Sequence, residues 1–185
     1  MYKRQVEATF VKIEDAQTFI DVPDGYWAED AIAWAAENGY MNGNTATTFN
    51  PEGTVTRQQL WMILARLSGY QPADFAEAKA WAMDNGISDG TIPGNAVSRQ
   101  QLVTILYRYA VRMGYNISVK ADLTIFPDHV SVASYATDAM AWSVANGIVG
   151  GTTQGTLNPA GTATRAQFAV ILNRFCAVSY THLRA

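Results

Sequence analysis

The stretch Thr164-Arg165-Ala166-Gln167 decides the fold, because it describes how a helix begins. A hydroxyl residue with Gln three positions later predicts a capping box. In it the hydroxyl accepts a hydrogen bond from a helical N–H, and the Gln accepts one from the capping residue's own N–H. The apolar residues Phe168, Ile171, Leu172 and Phe175 follow at the spacing of a single buried helix face.

Two earlier stretches repeat this pattern, Thr56-Arg57-Gln58-Gln59 and Ser98-Arg99-Gln100-Gln101. Each places an Arg in the first helical turn, where the helix dipole disfavours a cation. Because this cost recurs in all three copies, we expect an anionic partner for each Arg. A helix N-terminus with unpaired N–H groups beside an Arg is itself an anion-binding arrangement.

The composition argues against several classes of protein. The 185 residues are 49% hydrophobic and 16% charged, which is typical of a folded globular protein. A net charge of −3 without a basic stripe argues against a nucleic-acid partner. The single cysteine, Cys176, excludes an intrachain disulfide framework. The absence of a long apolar run predicts no insertion into a membrane.

The sequence predicts neither a metal nor a cofactor, and no catalytic site. The aspartates Asp24, Asp84 and Asp89 lack the spacing of a calcium loop. His129 and Cys176 do not form a set of zinc ligands. Phosphate-binding loops, nucleophile elbows and zinc-protease motifs do not occur.

A second pattern shows that the chain is an internal repeat. Trp34, Trp81 and Trp142 each precede an Asn-Gly pair that predicts the end of a helix. The middle copy has a shortened loop, residues 88–97. The predicted division is repeat 1 at 19–69, a truncated repeat 2 at 70–114, a connector at 115–125 and repeat 3 at 126–177.

The two ends resemble translated adapter sequence. Residues 1–18 are interpreted as adapter plus the tail of a linker, and residues 178–185 as adapter. The native chain is therefore expected to continue in both directions.

No repeat of this size buries enough surface to fold alone, so the repeats must share a core. The predicted fold class is all-α, with three helix–loop–helix repeats in a compact pseudo-threefold arrangement. The three tryptophans that precede the Asn-Gly pairs are expected to contribute to the core.

Taken together, the motifs Phe-x-Asp, Asn-Gly, Phe-x-Pro and Thr-Arg-x-Gln resemble the S-layer homology repeat over about residues 19–176. The resemblance implies a three-pronged all-α domain that attaches exported bacterial proteins non-covalently to the cell wall. Its partner would be a pyruvylated secondary cell-wall polysaccharide, or a peptidoglycan-linked polymer. It further implies an extracellular location and no catalysis by the module, and we expect a monomer.

Site residues follow from the resemblance by position. It implies ligand contacts by Arg57, Arg99 and Arg165, a groove position for Asp21 and Asp128, and groove glycines at Gly43, Gly90 and Gly150. The aspartates could equally cap turns. The aromatic residues Trp27 and Tyr135 suit the apolar face of a sugar, which we infer from their chemistry rather than from the family.

Two departures from the family pattern leave alternatives open. Gln59, Gln101 and Gln167 stand where the family more often has Glu, and the short middle repeat makes Arg99 the weakest of the three arginines. One or two competent grooves are expected. The alternatives are a structural or protein-interaction module, and a wall-glycan hydrolase, which would need two carboxylates in one cleft.

Overall fold

Residues 19–182 are described by a computed structural model, with side chains through Val178. Within this range no β-strand occurs, and the all-α prediction is confirmed. The α-helices are α1 (Glu29–Glu37), α2 (Arg57–Leu67), α3 (Phe75–Asp84), α4 (Arg99–Arg112), α5 (Thr137–Ala145) and α6 (Arg165–His182). Short 3-10 turns at Leu123–Ile125, His129–Ser131 and Ser134–Ala136 precede α5.

Of the end segments predicted as adapter and linker tail, residues 1–18 and 183–185 lie outside the described residues, whereas residues 178–182 form the end of α6. In the described part of the chain, none of the helices has the length and apolar character needed to cross a membrane.

The second helix of each repeat begins as the capping box predicts. Thr56 and Ser98 accept from the N–H of Gln59 and Gln101, and each Gln accepts from the capping residue's N–H. At the start of α6, Thr164 and Gln167 make the same two bonds, each 3.2 Å long. The capping residues in the local sequence therefore mark where α2, α4 and α6 start.

The first helix of each repeat ends at its Asn-Gly pair. The side-chain amides of Asn38, Asn85 and Asn146 donate to the carbonyls of Trp34, Trp81 and Trp142, each at 2.8 Å. The following residues, Gly39, Gly86 and Gly147, have φ values of 67°, 68° and 67°. Such a conformation favours glycine, so the pair stops the helix.

Helices pack in pairs that cross from one repeat to the next. We call residues 19–69 unit 1, residues 70–114 unit 2 and residues 126–177 unit 3; these boundaries remain predictions. The helix α2 of unit 1 packs on α3 of unit 2, α4 packs on α5 of unit 3, and α6 packs on α1 of unit 1. Each unit thus depends on the next one for its packing.

Short bridges at the starts of the second helices close the units into a ring. Isolated antiparallel bridges join Thr54 to Thr164, Thr56 to Ala96 and Ser98 to Thr162, so each pair of units is linked once. These cyclic contacts agree with a pseudo-threefold arrangement. The three-pronged outline remains a prediction.

A continuous core runs between the units. Trp142 is fully buried, and its ring lies edge-on to Tyr107 of α4 and Phe175 of α6. The equivalent Trp34 and Trp81 are only partly buried against the core. The tryptophan prediction therefore holds fully for Trp142 and in part for the other two.

One loop position carries backbone strain in unit 2 alone. Asn50 and Asn158, at φ values of 60° and 47°, occupy equivalent positions in units 1 and 3, and Asn tolerates the left-handed region. In unit 2 the residue is Ile92, at φ 41°. A β-branched residue there costs about 1–2 kcal/mol.

Substituting Ile92→Asn is expected to stabilise the protein by about 1 kcal/mol, because the strain is relieved while little packing is lost from a side chain that is 53% exposed. Urea unfolding monitored by tryptophan fluorescence measures the change. The control is Ile125→Asn, on a side chain 72% exposed outside the left-handed region, which should leave the midpoint unchanged or lower. A fall in the midpoint for Ile92→Asn would show that Ile92 is not strained.

Candidate ligand-binding grooves

Each motif arginine reaches out of its own unit and holds the loop of the next. The Nε–H groups of Arg57, Arg99 and Arg165 donate to the carbonyls of Thr91, Leu157 and Phe49, at 2.9, 2.8 and 2.9 Å. The Nη2 groups of Arg99 and Arg165 donate to further carbonyls, those of Gly150 (3.1 Å) and Asn42 (2.7 Å). The three arginines therefore link the units as well as lining grooves.

The helix N-terminal N–H groups are already occupied, which corrects the expectation that they are free for an anion. The N–H groups of Arg57, Arg99 and Arg165 donate to the carbonyls of Asn95, Gly161 and Gly53, and the next N–H in each helix also bonds to the neighbouring loop. The third N–H is held by the capping hydroxyl. Any anion in these grooves must be held by side chains.

Three grooves lie beside the motif arginines, and each draws on all three units. The Arg99 groove has a volume of about 670 Å³, the Arg57 groove about 340 Å³ and the Arg165 groove about 210 Å³. In each case one unit gives the motif Arg, the next gives its loop and second helix, and the third gives an exposed aromatic side chain.

The Arg99 groove has the largest volume of the three. Arg99 comes from unit 2, and Trp27 and Glu52 come from unit 1. The rest of the lining belongs to unit 3: residues 148–154, Asn158, Thr164, Gln167, Val170, Ile171 and Arg174. Glu52 accepts from the Tyr26 hydroxyl at 2.7 Å, and no ion pair between Glu52 and Arg99 is formed in the described part of the chain.

The Arg165 groove has the smallest volume of the three. It is lined by Arg165, by residues 40–44, Gln59, Met62, Ile63 and Arg66 of unit 1, and by Phe75 of unit 2. Arg165 is only 7% exposed and lies over the Phe49 ring, 4.4 Å from its centroid. Burial lowers the pKa of Arg165 and the charge of Asp21 opposes that shift.

The Arg57 groove contains an ion pair. The Nη2 group of Arg57 donates to Asp89 Oδ1 at 2.6 Å and to Ser88 Oγ at 3.1 Å. The pKa of Asp89 is lowered by the N–H of Thr91 first, and also by the Thr91 hydroxyl and the Arg57 charge. The polar lining also includes Tyr135, Arg108, Thr91, Gln101 and Thr104.

This arrangement changes which arginine the short middle loop affects. The truncated loop of unit 2 lies against Arg57, whereas Arg99 lies against the full-length loop of unit 3. The sequence predicted that the short middle loop would weaken the site at Arg99, and the structure places that loop at Arg57 instead.

A second arginine in each groove was missed by the sequence reasoning. Arg66, Arg108 and Arg174 each follow the motif Arg by nine positions and line the three grooves. Their regular spacing was visible in the sequence. Phe75 was also missed, although it takes the place in the Arg165 groove that Trp27 and Tyr135 take in the other two.

The aspartates Asp21 and Asp128 hold loops. The two carboxylate oxygens of Asp21 accept from the N–H groups of Phe49 (2.8 Å) and Asn50 (2.7 Å). Asp128 accepts in the same way from Leu157 and Asn158, both at 2.8 Å. Neither aspartate lines the three grooves. Their geometry is that of turn caps, and a ligand role remains a prediction.

Of the three predicted glycines, Gly43 lines the Arg165 groove and Gly150 lines the Arg99 groove. Gly43 is tightly placed, because a Cβ there would lie 2.6 Å from Phe19 Cε1. The position equivalent to Gly43 and Gly90, fourth after the helix-ending glycine, is Gly151 rather than Gly150. Gly90 is buried and does not line the Arg57 groove. Across the described residues, no group of His, Cys, Asp and Glu side chains is arranged to hold a metal ion.

The fold and the grooves together define an all-α tandem-repeat module closed into a ring. The S-layer homology domain model matches residues 18–60 and 125–169, and these two segments of the chain are S-layer homology repeats. Unit 2 lies outside both matched segments. Its membership remains a prediction, supported by its equivalent capping box, Arg and helix pair.

Relatives share this segment within much longer chains. The chain is 27% identical to an amylopullulanase of Thermoanaerobacterium thermosulfurigenes, covering 88% of this chain and 10% of that protein. It is 26% identical to exoglucanase XynX of Acetivibrio thermocellus (86% and 16%) and 26% identical to the surface-layer 125 kDa protein of Lysinibacillus sphaericus (80% and 14%). The chain thus spans less than a fifth of these relatives. The family and the relatives indicate a cell-surface, cell-wall-associated location.

Replacing Asp128→Asn should destabilise the protein by about 1–3 kcal/mol, because an amide offers one acceptor where two N–H groups now bond. Burial raises the pKa of Asp128, but the N–H groups of Leu157 and Asn158 and the charge of Arg99 lower it overall from 3.8. The contribution of the carboxylate is therefore present above 3.8 and is lost as the pH falls through the lowered value.

Urea unfolding at neutral pH and at a pH below the lowered value measures this effect. The stability difference between Asp128→Asn and the parent should be present in the first condition and shrink in the second. The exposed Asp24→Asn is the matched control and should match the parent in both. An unchanged difference at acid pH would rule out the carboxylate as its source.

Proposed function

We propose that this module anchors an exported bacterial protein to the cell wall by binding an anionic, pyruvylated secondary cell-wall polysaccharide in the grooves between its units. The observation that carries the proposal is the repeated composition of the grooves, each lined by two arginines and one exposed aromatic ring. The module itself performs no chemistry.

The charges suit a carboxylated sugar. In each groove the motif Arg uses Nε and Nη2 to hold a loop, and no acceptor for its Nη1 group is found among the described residues. A carboxylate accepts strong hydrogen bonds from a guanidinium group. We call the second arginine of each groove the rim arginine, and it can contact the same ligand.

The aromatic side chains suit the rest of the sugar. Trp27, Tyr135 and Phe75 are 60%, 54% and 43% exposed, which is unusual for large rings in a protein with a well-filled core. The C–H face of a pyranose ring packs on such a surface, so the aromatic side chain and the arginines can contact the same sugar residue of the polymer.

The grooves are not equivalent, and the Arg99 groove is the principal site. It has the largest volume, and the Arg99 side chain is more accessible than the 7% exposed Arg57 and Arg165. The Arg165 groove is a secondary site of smaller volume. The Arg57 groove already contains the carboxylate of Asp89.

The variant Arg174→Gln should weaken binding to wall sacculi about tenfold, because it removes one charged contact from the principal groove. Arg174 is exposed and has no hydrogen-bonding partner among the described side chains, so folding should be unaffected. Co-sedimentation with purified sacculi measures the affinity. Truncating Arg99 itself would be a poorer test, because Arg99 also holds the loop of unit 3.

The control is Arg112→Gln, which makes the same charge change at the end of α4 outside the three grooves and should bind like the parent. Sacculi from which the polymer has been extracted should bind neither protein. Equal binding by Arg174→Gln and Arg112→Gln would remove the Arg99 groove from the proposal. A parent that fails to bind any sacculi would favour the protein-interaction alternative.

Removing the ring with Trp27→Ala should also weaken sacculus binding, by threefold or more, while the unfolding midpoint stays within about 0.5 kcal/mol of the parent. The expectation follows from the exposure of Trp27 at the edge of the Arg99 groove. Trp27→Phe keeps an apolar face and should restore most of the affinity. A normal affinity for Trp27→Ala would exclude stacking by this residue.

The hydrolase alternative has no observation in its favour. The oxygens of Asp21 and Asp128 each accept backbone N–H bonds in their own unit, and these two carboxylates do not face a shared groove.

A further inference from the structure

The three motif arginines have different counter-charges. The negative charges of Asp21 and Asp128 attract the positive charges of Arg165 and Arg99 without an ion-pair contact. The carboxylate oxygens of these aspartates accept hydrogen bonds from backbone N–H groups instead. Unit 2 has no Phe-x-Asp segment, and the counter-charge of Arg57 is supplied instead by Asp89, in direct contact at 2.6 Å.

Asp89 occupies a position that the other units fill with uncharged residues. It is the third residue after the helix-ending glycine, as are Asn42 in unit 1 and Gly150 in unit 3. In those units the motif Arg donates Nη2 to the backbone carbonyl of this residue, at 2.7 and 3.1 Å. In unit 2 the Asp89 side chain takes that bond.

The local geometry keeps Asp89 in place. Its Oδ1 atom also accepts from the N–H of Thr91 at 3.0 Å and from the Thr91 hydroxyl at 2.9 Å. A carboxylated ligand approaching the Nη1 group of Arg57 would therefore meet a fixed negative charge held against the adjacent Nη2 group. Two carboxylates that share one arginine repel each other strongly. The remaining cation of this groove, Arg108, is exposed, so solvent screens its attraction for the ligand.

We propose that Asp89 determines the ligand specificity of the Arg57 groove by imitating the carboxylate of an acidic sugar and thereby excluding it. Among the residues that the structure describes, no carboxylate forms an ion pair with Arg99 or Arg165, so these two grooves remain open to acidic sugars. This inference rests on the proposed function, since it concerns the same class of ligand.

The test is a titration followed by nuclear magnetic resonance of the arginine Nε–H groups in the ¹⁵N-labelled full chain. The Nε–H groups of Arg57 and Arg99 each donate to a protein carbonyl, which protects them from exchange, and Lys substitutions assign their signals. The probe is a methyl hexoside bearing a pyruvate ketal, and its methyl ester serves as the uncharged counterpart.

In the parent, the charged probe should shift the Arg99 signal and leave the Arg57 signal in place. In Asp89→Asn, the Arg57 signal should shift saturably as well, with an affinity at least about tenfold above that of the parent groove. Asp89→Glu retains the charge and should behave like the parent. So should Asp84→Asn, an exposed aspartate outside the three grooves. The ester should produce no gain in any variant.

The outcomes separate the two proposals. If the parent shifts Arg99 but a folded Asp89→Asn leaves Arg57 unmoved, the role of Asp89 is wrong and the proposed function stands. If the parent shifts Arg57 as readily as Arg99, Asp89 excludes nothing. If the charged probe moves neither signal in either protein, both the proposed function and this inference fail.

Discussion

The structure depends on one interaction, the bond from a buried or partly buried guanidinium group to the backbone of the neighbouring unit. A cation in the first turn of a helix opposes the helix dipole, and its burial adds a desolvation cost. Both costs are offset because Arg57, Arg99 and Arg165 donate to loop carbonyls that would otherwise lack partners. The helix start, the loop and the packing of adjacent units are thereby fixed together.

The same interaction couples architecture to ligand chemistry. The arginines that hold the ring also line the grooves, so a change at these positions alters folding and recognition at once. The rim arginines Arg108 and Arg174 are free of this double role, since they are exposed and hold no loop. Variation in the loops then sets the character of each groove, as the contrast between Asp89 and Gly150 shows.

Local features of the fold could be predicted from the sequence, and contacts between units could not. Capping boxes and Asn-Gly stops depend on residues within a single turn, which is why the start of α6 and the end of α5 were located correctly. The crossed pairing of helices depends on contacts between distant residues. Because the pairing was not predicted, the short middle loop was assigned to Arg99 instead of Arg57. The rim arginines repeat visibly, but only the helix geometry shows that they face the grooves.

The ring arrangement also determines which segments of the gene can encode a complete groove. Each groove takes its arginine, its loop and its aromatic ring from three different units. Deleting any one unit would therefore dismantle every groove, rather than one groove in three. Recombination between genes that share this module would preserve recognition only when all three units move as a single cassette. The units within one cassette are then free to diverge from each other, as the middle unit has done.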